Sequence, residues 1–223
     1  KLNSVINIKI VKTYLDNTTF LNSLTGNIVF RNNKINKVKL DSSFFNNKKI
    51  SLTINVNDNN EKITTLFSGY PKPLLKEYKF IKGFEEGILD FYSIKKDKVS
   101  NSILTIDNFK VQEVPVLAKL LTLASLQGIA DLLTGEGIRF TDFEMKFSNQ
   151  KGLMNIEEMY AIGPAISILM DGYIERKNLI SLRGTLVPAT TINRSIASIP
   201  LIGKILVGKK TGEGVFGVSF KIK

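Results

Sequence analysis

The chain has 223 residues, 43% hydrophobic and 23% charged, with a net charge of +11 and neither cysteine nor histidine. That composition belongs to a folded protein long enough to bury a core. It excludes disulfides, thiol nucleophiles, zinc sites built on Cys or His, and every acid–base scheme that needs imidazole.

Residues 1 to about 110 alternate. In "INIKIVK", Ile6, Ile8 and Ile10 fall on one face, with Asn7 and Lys9 on the other. In "KKISLTINVND", Ile50, Leu52, Ile54 and Val56 oppose Ser51, Thr53 and Asn55. Period-two alternation of this kind predicts antiparallel strands with one apolar and one wet face. The runs "RNN", "NDNN" and "KKDK" supply turns. "GFEEGILDFYSI" and "NSILTIDNFKV" add strands, and no helical period is long enough for crossovers, so a meander is expected rather than a parallel sheet.

From Pro115 to Leu133 the pattern turns helical, with leucines nearly all the way round and Gly135 near the end. A helix of about twenty residues is roughly 30 Å long, enough to span a bilayer. Lys119 and Asp131 would each oppose insertion by about 2.5–3.5 kcal/mol. A helix that covers a sheet or closes one end of a groove is the better expectation. Strands then resume in "GIRFTDFEMKF", where Phe143, Met145 and Phe147 alternate with Asp142, Glu144 and Lys146. "GLMNIEEMYAIGPAISILMDGYI" and "LISLRGTLVP" continue the sheet, with Gly163-Pro164 expected as a bend or bulge in an edge strand. A second, shorter helical segment is expected near 191–206, and "GVFGVSFKIK" closes as a strand. The domain reading is an antiparallel β segment over 1–110 and, continuous with its sheet, a region over 111–223 with two helical insertions.

"GKILVGKKTGEGVFG" overlaps two nucleotide patterns, G-x-x-x-x-G-K and G-x-G-x-x-G. A phosphate loop needs a strand before it and a helix after it. Here the expected order is reversed, and Lys210 stands where Ser or Thr would reach magnesium. These glycines therefore read as a turn from a helix back to a sheet edge. Glu85-Glu86 and Glu157-Glu158 fall in expected turns or strand starts, and Asp142 and Glu144 share a face with Lys146, a solvated stripe. Sequence neighbours do not show carboxyls converging on a substrate. No catalytic residue, metal site or cofactor is read here. The excess charge is mostly lysine, arginine is confined to positions 31, 139, 176, 183 and 194, and tryptophan is absent. That is a solvated lysine surface rather than a nucleic-acid interface.

Four segments carry a family resemblance: "LTIDNFKVQEVPVLAKLLTLASLQGIADLLTGEGIRF", "AIGPAISILMDGYIE", "LRGTLVPATTIN" and "IPLIGKILVGKKTGEGVFGVSF". From about Asn101 to Lys223 the chain resembles the AsmA-like superfamily of bacterial envelope proteins, nearest to the C-terminal region of the YhdP-type branch. The resemblance implies a mainly β fold, an antiparallel meander curled into an elongated open groove. It implies a periplasmic part of a protein anchored in the inner membrane by a segment outside this fragment. It implies phospholipid as the partner, carried without enzymatic activity between the inner and outer membranes, or a role in envelope integrity. The alternative is a structural or assembly module of the envelope that binds protein partners and closes a dry core. Candidate lipid contacts, chosen by alternation, are Ile6, Ile8, Ile10, Ile50, Leu52, Ile54, Val56, Phe143, Met145 and Phe147.

Overall fold

The computed structural model describes residues 3–75, 83–112, 136–175, 180–188 and 218–222. Its strands are β1 (Ser4–Tyr14), β2 (Phe20–Arg31), β3 (Lys34–Phe44), β4 (Lys49–Val56), β5 (Lys62–Ser68), β6 (Glu85–Lys96), β7 (Val99–Val111), β8 (Ile138–Gln150), β9 (Leu153–Ile162), β10 (Ile166–Glu175), β11 (Ile180–Pro188) and β12 (Val218–Ile222). One short helix, α1 (Lys72–Leu75), lies between β5 and β6. The strands form a single twelve-stranded sheet in sequence order, each antiparallel to the next. The sheet is open, with β1 and β12 at its edges. The expected helices over 115–133 and 191–206, and the glycine run 203–217, lie outside the described residues.

Sequence chemistry sets the turns. Asn32 and Asn33, both with positive φ, join Arg31 to its partner Lys34. Lys151 and Gly152 do the same between Gln150 and Leu153. Asparagine and glycine tolerate this left-handed backbone, which matches the twist of paired strands. In the "NDNN" loop, Asn57 Oδ1 accepts from the Glu61 amide and Asn57 Nδ2 donates to the Glu61 carboxylate, both at 2.9 Å. The turns that follow β2, β4, β6 and β8 gather at one end of the strands; the connections after β1, β3, β5, β7 and β9, with the long ones after β5 and β7, gather at the other.

Among the described residues a buried cluster lies on β6–β11, with Leu75 and Phe84, towards the long-connection end. Ile106, Phe109, Ile138, Phe140, Ile166 and Leu186 are all buried there. Phe109 stacks on Phe84 at 5.2 Å and on Phe140 at 5.4 Å between ring centroids. A crease makes this possible. Gly87 in β6 (φ 84°) stands across from Asn108 in β7 (φ 51°), between the registered pairs Glu86–Phe109 and Ile88–Asp107. The left-handed residue shifts the parity of β7, so Ile106 and Phe109, three positions apart, both enter the cluster. Such irregularities bend a strand and increase its twist.

Two local expectations are corrected. Gly163-Pro164 does bend the chain, but not in an edge strand and not as a bulge: it turns β9 into β10, which pair with each other inside the sheet. The backbone there is tight, because a Cβ on Gly163 would overlap the Arg139 carbonyl oxygen. Glu157 and Glu158 are neither in a turn nor at a strand start. They lie inside β9, where the register shifts against both neighbouring strands. Glu85 and Glu86 do open β6. β7 and β8 pair from Val99–Gln150 to Val111–Ile138, so the sheet runs without a break through residue 110.

Candidate functional site

Residues directly opposite each other on neighbouring strands point to the same side of a sheet. Tracing the register therefore shows which side chains share a face. One row runs Ile8, Gly26, Leu40, Leu52, Leu66, Phe91, Leu104, Met145, Met159, Met170 and Gly184, crossing β1 to β11 without a single polar side chain. A second row on the same face runs Ile6, Ile28, Val38, Ile54, Thr64, Ser93, Ser102, Phe147, Ile156, Gly172 and Leu182. A third links Ile50, Ser68, Leu89, Ile106, Phe143, Ala161, Ile168 and Leu186.

The candidates chosen by alternation all lie on this face. Ile8, Leu52 and Met145 occupy the first row, Ile6, Ile54 and Phe147 the second, and Ile50 and Phe143 the third. Ile10 continues β1 opposite Leu24, and Val56 ends β4 opposite Lys62. Ile6 and Ile10 are exposed, at 48% and 44%, whereas Leu52, Leu66, Phe91, Leu104 and Met145 are half-buried. Leu66, Phe91, Leu104, Phe143 and Met170 pack against the edge of the buried cluster. Each strand packs chiefly against its neighbours in sequence, and among the described residues no second sheet lies over the apolar face.

The opposite face is mixed and mostly polar. Lys146 pairs with Glu144 at 2.9 Å and with Glu158 at 3.2 Å, and these contacts raise the Lys146 pKa. Arg139 grips Glu86 through both terminal nitrogens at 2.8 and 3.1 Å, and that hydrogen bonding, with the guanidinium charge, holds the Glu86 carboxyl below the ordinary carboxylate range. Thr53 and Thr65 share a hydroxyl–hydroxyl contact across β4 and β5. Apolar residues reach this side too: Tyr92 and Ile103 stand opposite each other and are exposed.

Asp90 on this face gives a pH test. Partial loss of water around its carboxyl, then the nearby Asp107 charge, raises its pKa. A carboxyl with a raised folded-state pKa contributes stability below the unfolded pKa, and that stability is lost as pH rises through the folded value. Asp90→Asn, permanently neutral, is expected to melt higher than the parent at pH 7. The difference should vanish near pH 3, below the ordinary aspartate value of about 3.9. Thermal melting at the two pH values checks it.

Among the described residues no group of three or more acidic side chains is placed to hold a metal ion. An open depression of about 280 Å³ at the β9–β10 irregularity is lined by Lys146, Glu157, Glu158, Leu169, Met170 and Asp171. It mixes both charges with apolar walls. Among the described residues no helix is long and apolar enough to cross a membrane. No protein-family model, curated protein or solved structure matches the chain.

Sequence reasoning missed most of the face. The contributions of β2, β3, β5, β6, β7, β9, β10 and β11 are absent from the candidates, although Leu66, Phe91, Leu104 and Met159 sit as centrally as any of them. Their signal was the same alternation, in "TTLFS", "ILDFYSI", "SILTI" and "EMYAI".

Proposed function

We propose that this chain is a non-enzymatic phospholipid-transport or envelope-integrity module, the periplasmic part of an inner-membrane-anchored protein of the AsmA-like kind. Its sheet curls into an elongated groove, and the apolar face shelters acyl chains in transit between the inner and outer membranes. The supporting observation is the row from Ile8 to Met170, which offers an apolar path at right angles to the strands. Continuity is what a conduit needs. Bringing an acyl chain into water costs about 0.8 kcal/mol per methylene, so a sixteen-carbon chain faces on the order of 12 kcal/mol. A path without polar interruptions removes most of that barrier at every step.

A second reading has its own support. The cluster around Phe109, Phe140 and Ile166 is buried, and an envelope assembly module that binds protein partners would extend such a core over the whole face. Native mass spectrometry of the protein purified from bacterial cells separates the two. The conduit reading expects phospholipid adducts that survive gentle ionisation and disappear after delipidation. A protein that is lipid-free as purified, and that takes up no added phospholipid, overturns it.

A further inference from the structure

On β5 and β6 the apolar face ends in cations at the tight-turn end of the strands. Val56, Lys62, Lys95, Ser100, Asn149, Met154, Ile174 and Ile180 form the last registered row on that face. Lys62 and Lys95 are directly opposed and exposed. Like charges facing each other across a strand pair are destabilising. No carboxylate occupies this row, and neither lysine has an ion pair among the described residues. Lys96, the next residue on β6, points to the other side and is paired with Glu61 at 3.5 Å. An adjacent lysine is thus neutralised while the pair on the apolar face is not.

Along β5 and β6 the chemistry changes in order from this row inward. First come Lys62 and Lys95, then Thr64 and Ser93, then Leu66 and Phe91. Ser93 Oγ accepts from Ser102 Oγ at 2.9 Å in a buried pair, which leaves the Ser93 hydroxyl hydrogen for another acceptor. Strand rise puts the hydroxyl level about 7 Å from the lysines and the apolar level about 13 Å away. The polar headgroup zone of a lipid is roughly 5–8 Å deep. The gradation from cation to hydroxyl to hydrocarbon matches an amphiphile with an anionic head.

We propose that Lys62 and Lys95 form a headgroup site for a phosphate-bearing lipid, which lies with its head at the tight-turn end and its chain over Leu66, Phe91 and Leu104. This rests on the groove reading and adds to it a head position, a charge preference and an orientation for the cargo.

The test uses the delipidated chain and three probes below their aggregation limits: hexadecyl phosphate, hexadecanol of the same chain length, and inorganic phosphate. Binding is measured by calorimetry for the parent and for Lys62→Gln/Lys95→Gln. The parent should prefer hexadecyl phosphate over hexadecanol about tenfold, the scale set by two partly exposed charge contacts. The double variant should lose that preference, keep its affinity for hexadecanol, and melt no lower than the parent, because the lysine repulsion is gone. A variant that keeps the preference overturns the headgroup site and leaves the groove standing. Inorganic phosphate that binds as tightly as hexadecyl phosphate also overturns it, in favour of a free-anion site. A parent that binds neither long-chain probe overturns the groove itself, and the headgroup site with it.

Discussion

Leu104→Asp is expected to strip copurifying phospholipid from the protein, while Ile103→Asp, one position earlier on the same strand, leaves the lipid in place. The two residues share a backbone environment and differ in the face they serve. Leu104 stands between Phe91 and Met145 in the middle of the apolar row, and Ile103 stands between Tyr92 and Lys146 on the other side. An ionised carboxylate in the row would have to lose water whenever a hydrocarbon chain passed over it. That penalty is at least several kcal/mol. Each 1.4 kcal/mol is about a tenfold change in occupancy, so lipid should fall below detection. Leu104 is only half-buried, so the carboxylate keeps access to solvent in the lipid-free protein and the strand still forms. The dry-core alternative expects a different pattern: a lipid-free parent and a Leu104→Asp variant whose melting temperature collapses. Native mass spectra and thermal melts of the same three samples discriminate between them. Lipid lost equally from both variants would point to general unfolding and count against a face-specific path.

Much of this face was legible because a strand repeats every two residues. Once "INIKIVK", "KISLTINV" and "DFEMKF" read as strands, their apolar residues had to share sides, and an order without helical crossovers left a meander as the simplest pairing. What alternation could not carry was anything that depends on a change of parity. Phe109 and Phe140 are among the most buried residues. Counted by twos from Ile106 and Phe143, however, they belong to the wet side. Only the left-handed Asn108, and the matching shift between Phe140 and Phe143 on β8, bring them inward. An asparagine inside a strand, across from a glycine, was the available signal, and it has many meanings in a sequence so rich in asparagine. The opposed lysines were hidden for another reason. Each looks like ordinary surface charge in its own strand, and only the register of β5 against β6 places them together.

The largest loss of stability is expected from Gly26→Ala and Gly172→Ala. Both glycines sit in mid-strand on the apolar face, with φ of 153° and 143°. L-residues avoid this region, and forcing one into it costs about 1–3 kcal/mol. Sterics add to the strain. A Cβ on Gly26 would overlap the carbonyl oxygen of Lys39, and one on Gly172 that of Ser181, both backbone atoms that cannot rotate away. Moving a neighbouring strand to make room costs a further 1–3 kcal/mol or so, for a total on the order of 4 kcal/mol at each site. Gly69→Ala is the matched control: its added methyl would meet its nearest neighbours at 3.5 Å, ordinary contact, so it should change stability by less than about 0.5 kcal/mol. Urea unfolding of the three variants ranks them. Neutral behaviour at Gly26 or Gly172 would mean that the sheet relaxes there. That result bears directly on shape, because glycines in mid-strand and register shifts are the devices that bend a wide sheet. Gly172 coincides with the shift between β9 and β10, and Gly26 borders the one between β2 and β3. If these bends are rigid, the apolar face keeps one fixed curvature around a passing chain; if they yield, the face adjusts to what it carries.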